Sequence, residues 1–478
     1  MIHLKSKNPK ITRAFRIAIG DLATNILPCD LGLIEGSADA VMAGLDYDFP
    51  WTRDAAINSW NGASLIVPEI AKNTLLSMVE KVDGELRINH HQYWDAIVWT
   101  TGAWEHYLYT GDKELLKIAL EATTNSLKYF EKTEWNEELC LFRGAAHPAD
   151  GTSGYPIVYR IGDDGNGNTC IGDWPAANPD KVHPVGYGIP MHALSTNCLY
   201  YNAYKVAGLM SSELGSQPEE NWLTMAGKVK NAINQHFWMD DKGYYRHLVD
   251  PLGNCDNQEC IGLGYTLIFD VADAERSKRV LENVKQVPAG IPVGWPDYPR
   301  YEKIPGETYG RHSACVWPPF EAMLASGAGK NGRIDILMHV VNTIAEYACR
   351  DLHFAEVYHP MTGEIYGGIQ ECEGNLEYEW VSCVRQTWSA TCFIRLILLN
   401  VIGMNFTTKG VEFKPQITED ISPLSVKNIK YRKMDIDIEI KGSGNKISEF
   451  YIAGELQKEA FLPADLEGKK KIIIAVTI

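Results

Sequence analysis

The segment Thr110–Thr133, TGDKELLKIALEATTNSLKYFEKT, predicts how this chain folds. Its turn residues Thr110-Gly111-Asp112 come directly before an amphipathic run that starts at Lys113, an order typical of a helix start. Further segments with the same helical period recur along the chain. They lie near residues 10–27, 53–64, 66–81, 92–110, 190–209, 218–239, 257–269, 273–285, 312–326, 330–348 and 381–401. We therefore predict a mainly α-helical protein with twelve helices, a number that suits a helical toroid built from paired helices.

The C-terminal part of the sequence has a different pattern. Residues 405–478 contain short alternating runs such as Ile436-Asp437-Ile438-Glu439-Ile440, separated by turn residues such as Gly442-Ser443-Gly444. Such alternation predicts strands with one buried face. We expect a helical domain over residues 1–404 and a small β-sandwich domain over residues 405–478, packed against the helices through its apolar face.

Composition and charge limit the possible functions. The 478 residues carry a net charge of −16, which disfavours binding to nucleic acid or to anionic membranes. No apolar run of about 20 residues and no signal peptide is found. The 11 cysteines include no CxxC pair, so we expect free thiols, a cytoplasmic location and no thiolate metal site. A P-loop and a GxSxG elbow are also missing, and no cofactor is expected.

Three long loops, over residues 136–189, 286–311 and 349–380, are rich in glycine, proline and aromatic residues. Loops of this length in a compact domain usually carry function. Just before the second predicted helix, FPWTRD (residues 49–54) fits a helix start with Thr52 as N-cap. It also fits a sugar pocket, with Trp51 as an apolar floor and the polar pair Arg53 and Asp54 at the rim.

Two further clusters have similar alternatives. HHQYWD (residues 90–95) could suggest a metal, but adjacent positions on a helix point about 100° apart. A helix start that lines a polar pocket with Trp94 and Asp95 is the preferred interpretation. In FRGAAHPADGTSGYP (residues 142–156), Asp150-Gly151 could be a simple turn. Asp150 could equally be a pocket carboxyl, because Arg143, His147 and Tyr155 surround it in the sequence.

The remaining clusters lie near the ends of the predicted helices. YGRHSACVWP (residues 309–318) and RQTWSA (residues 385–390) are compatible with capped helix starts or with pocket walls. In FAEVYHPMTG (residues 354–363), Glu356 stands among aromatic residues, which is unusual for a surface carboxylate. Together these loops supply aromatic rings and isolated carboxyls, which is what glycoside hydrolysis needs: an acid for the leaving oxygen, a base for water, and rings for sugar faces.

The motifs FPWTRD, HQYWDA, ADGTSGYP, YGRHSACVWP, FAEVYHPMTG and RQTWSA follow one another in an order that resembles the (α/α)6-barrel, or six-hairpin, glycosidases. The similarity is to family 63 α-glucosidases, trehalases and the glucosidase domain of glycogen debranching enzymes. It implies that Glu356 is the general base. The acid-bearing Glu-Ser-Gly-x-Asp segment of the family is absent, and Asp150 is the nearest positional match. The residues at motif positions that would bind substrate are Trp51, Arg53, Asp54, Trp94, Asp95, Tyr155, His312, Trp317 and Gln386.

The preferred hypothesis is an inverting, exo-acting glycosidase for an α-linked glucoside or a related small saccharide. Three alternatives remain. A sugar epimerase on the same toroid would move protons with histidines, for which His90, His91, His312, His353 and His359 are available. A phosphorylase would need a basic anion pocket beside the base. A non-catalytic sugar-binding protein would keep the tryptophans without turnover.

Overall fold

A computed structural model describes residues 2–89, 94–147, 153–161, 169–216, 220–371 and 377–478. Within these ranges all twelve predicted helices are present, together with a single turn at Trp174–Ala177. The helices are α1 Pro9–Thr24, α2 Thr52–Asn58 continued through Ser59–Ala63 and Ser64–Ile66, α3 Pro68–Leu76, α4 Val98–Thr110, α5 Lys113–Thr133, α6 Leu194–Glu213, α7 Glu220–His236, α8 Cys260–Ile268, α9 Ala274–Asn283, α10 Pro318–Lys330, α11 Ile334–Asp351, and α12 Thr387–Arg395 continued through Leu396–Val401.

The helices form an inner and an outer ring. The even-numbered helices are buried on nearly every side over most of their length, whereas the odd-numbered ones have one exposed face. Each even-numbered helix packs against the next, and α12 packs against α2, so the inner ring closes. This arrangement confirms the predicted (α/α)6 barrel.

Glycine residues allow the inner helices to approach closely. A Cβ added at Gly102 of α4 would lie 2.6 Å from Ala56 Cα of α2, and one added at Gly264 of α8 would lie 2.8 Å from the Leu324 amide nitrogen of α10. Protein atoms do not tolerate such contacts. The inner ring is therefore packed backbone against backbone at these positions.

The strand-rich region forms two facing sheets. Its strands are β1 His3–Ser6, β2 Met404–Thr407, β3 Gly410–Phe413, β4 Leu424–Tyr431, β5 Met434–Gly442, β6 Lys446–Ile452, β7 Glu455–Leu456, β8 Phe461–Pro463 and β9 Gly468–Thr477. One sheet has the order β1-β4-β5-β9-β6-β7 with β5 and β9 parallel, and the other has the order β2-β3-β8. The rings of Phe413 and Phe450 pack across the two sheets with centroids 5.2 Å apart. The predicted β-sandwich is thus confirmed.

The N-terminal strand β1 was not predicted as part of this sandwich. It pairs antiparallel with β4, so that His3 lies opposite Lys427. The sandwich packs on the helix C-terminal end of the barrel, where Phe406 lies 4.5 Å from the ring of Tyr109 in α4. The division into domains at residues 404 and 405 stays a prediction.

Short two-stranded antiparallel sheets lie in the connections between the helices, some as hairpins and some joining two different connections. They pair Ile26–Cys29 with Ala38–Val41, Val79–Val82 with Glu85–Ile88, Trp135–Asn136 with Leu141–Phe142, His192–Ala193 with Leu248–Val249, Trp238–Met239 with Tyr244–Tyr245, Gln258–Glu259 with Gly294–Trp295, and Ile369–Glu371 with Glu377–Glu379. Among the described helices, none combines the length and the apolar character needed to cross a bilayer. The ten cysteines in the described ranges are free thiols.

Candidate active site

The sequence motifs meet at one end of the barrel. Because successive helices alternate in direction, the inner helices all point the same way and their N-terminal ends share one rim. FPWTRD leads into α2, the segment ending at Asp95 precedes α4, Trp317 precedes α10 and Gln386 precedes α12. Residues far apart in the sequence are thereby gathered on this rim.

A buried ion pair joins the first two motifs. Arg53 Nη1 donates to Asp95 Oδ2 across 2.9 Å and to the His147 carbonyl oxygen across 3.3 Å. His147 is fully buried, and its desolvation together with the nearby Arg53 cation holds its pKa well below the usual range. Because His147 is neutral, the positive charge next to the Asp95 carboxylate is that of Arg53.

A second buried ion pair contains the candidate base. Arg311 Nη2 donates to Glu356 Oε2 across 2.5 Å, and the Cys383 amide lies 3.4 Å from the same oxygen. Arg311 Nη1 donates to the Gly367 carbonyl oxygen across 2.9 Å. The guanidinium is thus fixed at two points and holds one oxygen of Glu356.

Aromatic rings connect the two ion pairs. The Arg53 guanidinium lies 5.3 Å from the ring of Trp388, Trp388 lies 6.0 Å from Trp317, and Trp317 lies 4.7 Å from the Arg311 guanidinium. These contacts form an unbroken chain from Asp95 to Glu356. Trp388 and Arg311 belong to the quoted motifs, but the sequence analysis did not select them.

The side chain of Gln386 is hydrogen-bonded to neighbouring groups of the protein. With the amide turned so that both of its polar atoms have partners, it donates to the Ala43 carbonyl oxygen at 2.7 Å and accepts from Trp388 Nε1 at 3.2 Å. The same amide group lies 3.5 Å from Glu356 Oε1. A Cβ on Gly44 would collide with this amide, so only glycine fits there. Gln386 is 1% exposed, and its placement supports the wall that Trp388 forms.

His312 lies on the other side of Trp317. Its ring centroid is 5.3 Å from that of Trp317, and its Nδ1 is 2.7 Å from Ser153 Oγ. The next residue, Gly154, has φ +86°, and a Cβ there would lie 2.7 Å from the His312 carbonyl oxygen. Ser153 and Gly154 therefore lie directly against His312.

Tyr47 lies near both the candidate base Glu356 and Asp54. Burial raises the pKa of the Tyr47 hydroxyl, and the nearby charges of Glu356 and Asp54 act in the same direction. Tyr47 is a neighbour of the candidate base that the sequence analysis missed, because the stretch before FPWTRD has no distinctive pattern.

Three predicted binding residues have different surroundings. Trp51 is 37% exposed, with φ +50°, and its ring meets Phe49 edge-on. Trp94 is buried where Gly144 passes over it, and a Cβ on Gly144 would lie 2.7 Å from Trp94 Cβ. Tyr155 is fully buried, and its hydroxyl accepts from the Ala146 amide at 3.2 Å. Of these three, only Trp51 presents a large exposed ring.

Thr52 is not the N-cap of α2. Trp51 occupies that position, and the Thr52 hydroxyl instead donates to the Asn89 carbonyl oxygen across 2.9 Å. The N-cap prediction is therefore wrong. The hydroxyl of Thr52 ties the start of α2 to the hairpin before α4.

The completely buried carboxylate of Glu371 connects two loops through hydrogen bonds. It accepts from Arg300 Nε at 2.9 Å, from the Tyr301 hydroxyl at 2.9 Å, and from both the hydroxyl and the amide of Thr169. The Tyr301 hydroxyl in turn accepts from the Gly154 amide at 3.0 Å. This network links the loop around Gly154 to the hairpin strand Ile369–Glu371.

Glu259 is a buried carboxyl that the sequence analysis missed. One oxygen accepts from the Ser195 amide at 3.1 Å, which caps the start of α6. Burial raises the pKa of Glu259 to about 8, so the side chain is largely protonated at neutral pH. It lines a small recess together with His312 and Gly154. No sequence signal distinguishes it from any other helix-start glutamate.

Several sequence candidates lie outside the described residues. These are Asp150, His90 and His91. Both ring nitrogens of His359 bond to backbone groups, Nε2 to the Glu307 carbonyl oxygen and Nδ1 to the amides of Met361 and Thr362. His353 Nδ1 lies 2.8 Å from the Asp351 carbonyl oxygen. In the part of the chain that the structure covers, no three His, Cys, Asp or Glu side chains are grouped as metal ligands.

Comparison with known proteins gives a consistent result. The profile of the mannosylglycerate hydrolase MGH1-like glycoside hydrolase domain matches residues 47–381, more than two thirds of the chain. The GH63 mannosylglycerate hydrolase from Thermus thermophilus, solved in complex with Tris, has a TM-score of 0.58 at 14% identity, over 80% of this chain and 100% of that one. No curated protein matches the sequence.

Two larger enzymes share the fold. A sialidase has a TM-score of 0.65 at 11% identity over 90% of this chain, and this chain spans 37% of its length. The GH78 family rhamnosidase of Bacillus sp. GL1 has a TM-score of 0.59 at 11% identity over 100% of this chain, which spans 44% of that enzyme. At these identities the likeness shows the fold alone. The family profile goes further: this chain is a glycosidase that belongs to the MGH1-like glycoside hydrolase family.

Proposed function

We propose that this protein is an inverting, exo-acting glycosidase for a small α-linked glycoside, with Glu356 as general base and Asp150 as general acid. The observation that carries the proposal is the buried Glu356 carboxylate, held by Arg311 on the rim where the sequence motifs meet. The substrate class is a glucoside or a related small saccharide. The mannosylglycerate hydrolase among the structural relatives makes mannosylglycerate a second substrate to test.

The contacts of Glu356 suit a base. Arg311 and the Cys383 amide both lie on the side of Oε2. Oε1, which lies 3.5 Å from the Gln386 side-chain amide, is the oxygen proposed to take the proton from water. In an inverting reaction, that water attacks the anomeric carbon on the face opposite the leaving group.

The acid is proposed from its sequence position, and the anchors on either side of it support the proposal. On one side, the His147 amide donates to Ser195 Oγ at 3.0 Å and its carbonyl oxygen accepts from Arg53. On the other side, Ser153 bonds to His312. Five residues separate these anchors, and Asp150 is one of them. For an inverting enzyme we expect its carboxyl about 6.5–9.5 Å from that of Glu356.

The rest of the rim supplies groups for sugar binding. The exposed ring of Trp51 suits the C–H face of a sugar, and Arg53 and Asp54 suit its hydroxyls. Trp94, Asp95, Tyr155, His312, Trp317 and Gln386 are proposed to complete the pocket or to hold its walls.

The product anomer tests the reaction. Proton NMR would follow α- and β-linked disaccharides and mannosylglycerate with the wild type, Glu356→Gln and Asp150→Asn. We expect the wild type to release an inverted sugar, and each variant to lose at least about 10³-fold in kcat while keeping the fold. A retained anomer would exclude the inverting mechanism.

Two controls separate the alternatives. Glu259→Gln tests whether the protonated Glu259 is the acid; loss of activity there with full activity in Asp150→Asn would reassign that role. Adding inorganic phosphate and following ³¹P would reveal a sugar 1-phosphate if the enzyme were a phosphorylase. An unchanged rate in Glu356→Gln would remove Glu356 from the mechanism and turn attention to Glu371 or to Glu373, which lies outside the described residues.

A further inference from the structure

A second cavity lies at the opposite end of the barrel. It has a volume of about 470 Å³ and is enclosed by the C-terminal ends of the inner helices and by the segment around β2 and β3 of the sandwich. This volume falls within the range of small-molecule sites. It is separated from the candidate active site by the length of the inner helices.

Arg395 of α12 is the notable residue of this cavity. Its side chain is 5% exposed, Nε donates to Ser326 Oγ at 3.0 Å, and the guanidinium lies 4.3 Å from the ring of Trp60. Nη1 is buried without an acceptor among the described residues, and none of their carboxylates lies within ion-pair distance of the guanidinium. A buried cation with an unused donor costs stability unless an anion compensates it.

Lys205 of α6 adds a second cation. Its side chain is half-buried, and no described carboxylate pairs with it. Burial lowers the pKa of Lys205 against the opposing influence of the Asp270 carboxylate, and the neighbouring ammonium groups of Lys330 and Lys230 lower it further. A bound anion would offset both the desolvation of Lys205 and the repulsion by the neighbouring ammonium groups.

One carboxylate also lines the cavity. Burial raises the pKa of Glu105 to about 7, against the lowering influence of Arg395 and of a hydrogen bond from Tyr109. Glu105 is therefore partly neutral at neutral pH. Lys330 and Lys414 also line the cavity but are paired with Asp270 and Glu412. Arg395 and Lys205, which have no ion-pair partner among the described residues, outnumber Glu105, so the cavity carries excess positive charge.

The walls are aromatic and carry amides. Trp60 and Trp104 are 3% and 6% exposed, and Trp60 stacks on Phe269 with centroids 5.9 Å apart. Asn202 and Gln416 place side-chain amides on the same cavity. Rings with amides suit the faces and hydroxyls of a sugar, and the cations suit an acidic group.

We propose that this cavity is a second binding site for a small saccharide that carries a carboxylate or a phosphate. The inference is independent of the proposed catalytic residues. The competing explanation is that basic residues merely compensate the helix C-termini. Lys330 does so, because its Nζ donates to the Ile268 carbonyl oxygen at 2.9 Å. The bond of Arg395 Nε goes to a serine hydroxyl, so this explanation does not account for it.

Calorimetric titration of the full chain tests the proposal. The probes are glucose 6-phosphate, glucuronate, glucose and inorganic phosphate, and the two acidic sugars distinguish phosphate from carboxylate recognition. We expect at least one acidic sugar to bind, with at least tenfold weaker affinity in Lys205→Gln and Arg395→Gln. The matched charge loss Lys117→Gln, on the exposed face of α5, should leave the affinity unchanged.

Two further measurements locate the site. Arg53→Gln alters the opposite end of the barrel and should not change the affinity. Hydrogen exchange of the wild type with the ligand should show protection over residues 101–109 and 395–406. The inference is overturned if no acidic sugar binds, if inorganic phosphate binds as tightly as the sugars, or if Arg53→Gln weakens binding while Lys205→Gln does not.

Discussion

Arg311 Nη2 lies 2.5 Å from Glu356 Oε2, and both side chains are at least 95% buried. Arg311 is also held by the Gly367 carbonyl oxygen and by the ring of Trp317. The orientation of the candidate base therefore depends on a guanidinium that two further contacts hold in place. Arginine suits this role because its planar group makes several bonds in fixed directions, which a lysine ammonium does not.

Replacing Arg311 by lysine should impair turnover more than binding. Lysine keeps the positive charge but loses the bond to Gly367, so Glu356 is held less firmly. Misplacement of a catalytic group by about 1 Å costs on the order of 10²-fold. We expect kcat to fall about that much with a small change in KM, measured on the glycoside that the anomer experiment identifies.

The matched control is Arg333→Lys, in a pair with Asp335 on the protein surface. Its kinetics should equal those of the wild type. A kcat of Arg311→Lys within twofold of the wild type would show that Arg311 does not position the base.

Asp95 should be important for stability as well as for the pocket. Its loss leaves the buried Arg53 cation without its carboxylate, and breaking a buried pair in this way costs about 3–5 kcal/mol. We expect Asp95→Asn to lower the free energy of unfolding in urea by that amount. Glu85→Gln removes the exposed partner of Arg87 and should cost less than about 1 kcal/mol. Equal costs for the two variants would contradict the burial argument.

Much of the fold could be predicted from the sequence, because helical period and turn residues are local signals. The predicted helix starts near 92, 312 and 381 are each six residues too early, since the helices begin at Val98, Pro318 and Thr387. The segments before these starts carry Asp95, Trp317 and Gln386. Apolar and aromatic residues surround these site residues, as in WDAI (residues 94–97) and ACVWP (residues 314–318), so the hydrophobic pattern does not show where the helix begins.

Contacts between residues that are far apart in the sequence could not be predicted. Strand β1 is only four residues long and pairs with β4 more than 400 residues away. Glu371 resembles any polar strand residue until Arg300, Tyr301 and Thr169 are brought around it. These features depend on tertiary contacts, which have no local pattern.

Gly154 should be required for activity through its close approach to His312. An added Cβ would meet the His312 carbonyl oxygen and push the loop away, breaking the Ser153–His312 bond. We expect Gly154→Ala to lower kcat/KM at least tenfold. Gly84 has nearly the same φ, +87°, with no atom near its Cβ position, so Gly84→Ala has a similar backbone cost without the clash. Comparable activity in the two variants would refute the steric argument.

Glu259 should make stability fall as pH rises. Its pKa is about 8 in the folded protein, against 4.5 for an ordinary glutamate, so between these values the folded state holds a proton that the unfolded chain has lost. Across this window the free energy of unfolding decreases by up to about 1.4 kcal/mol per pH unit, and above pH 8 this effect levels off.

Glu259→Gln mimics the protonated side chain and removes this dependence of the unfolding free energy on pH. In urea unfolding, the variant should match the wild type near pH 4, below the unfolded pKa, and exceed it in stability at pH 8.5. The exposed Glu459→Gln should follow the wild type at both pH values. If the stability curves of Glu259→Gln and the wild type ran parallel from pH 4 to 8.5, Glu259 would not titrate differently in the folded and unfolded states.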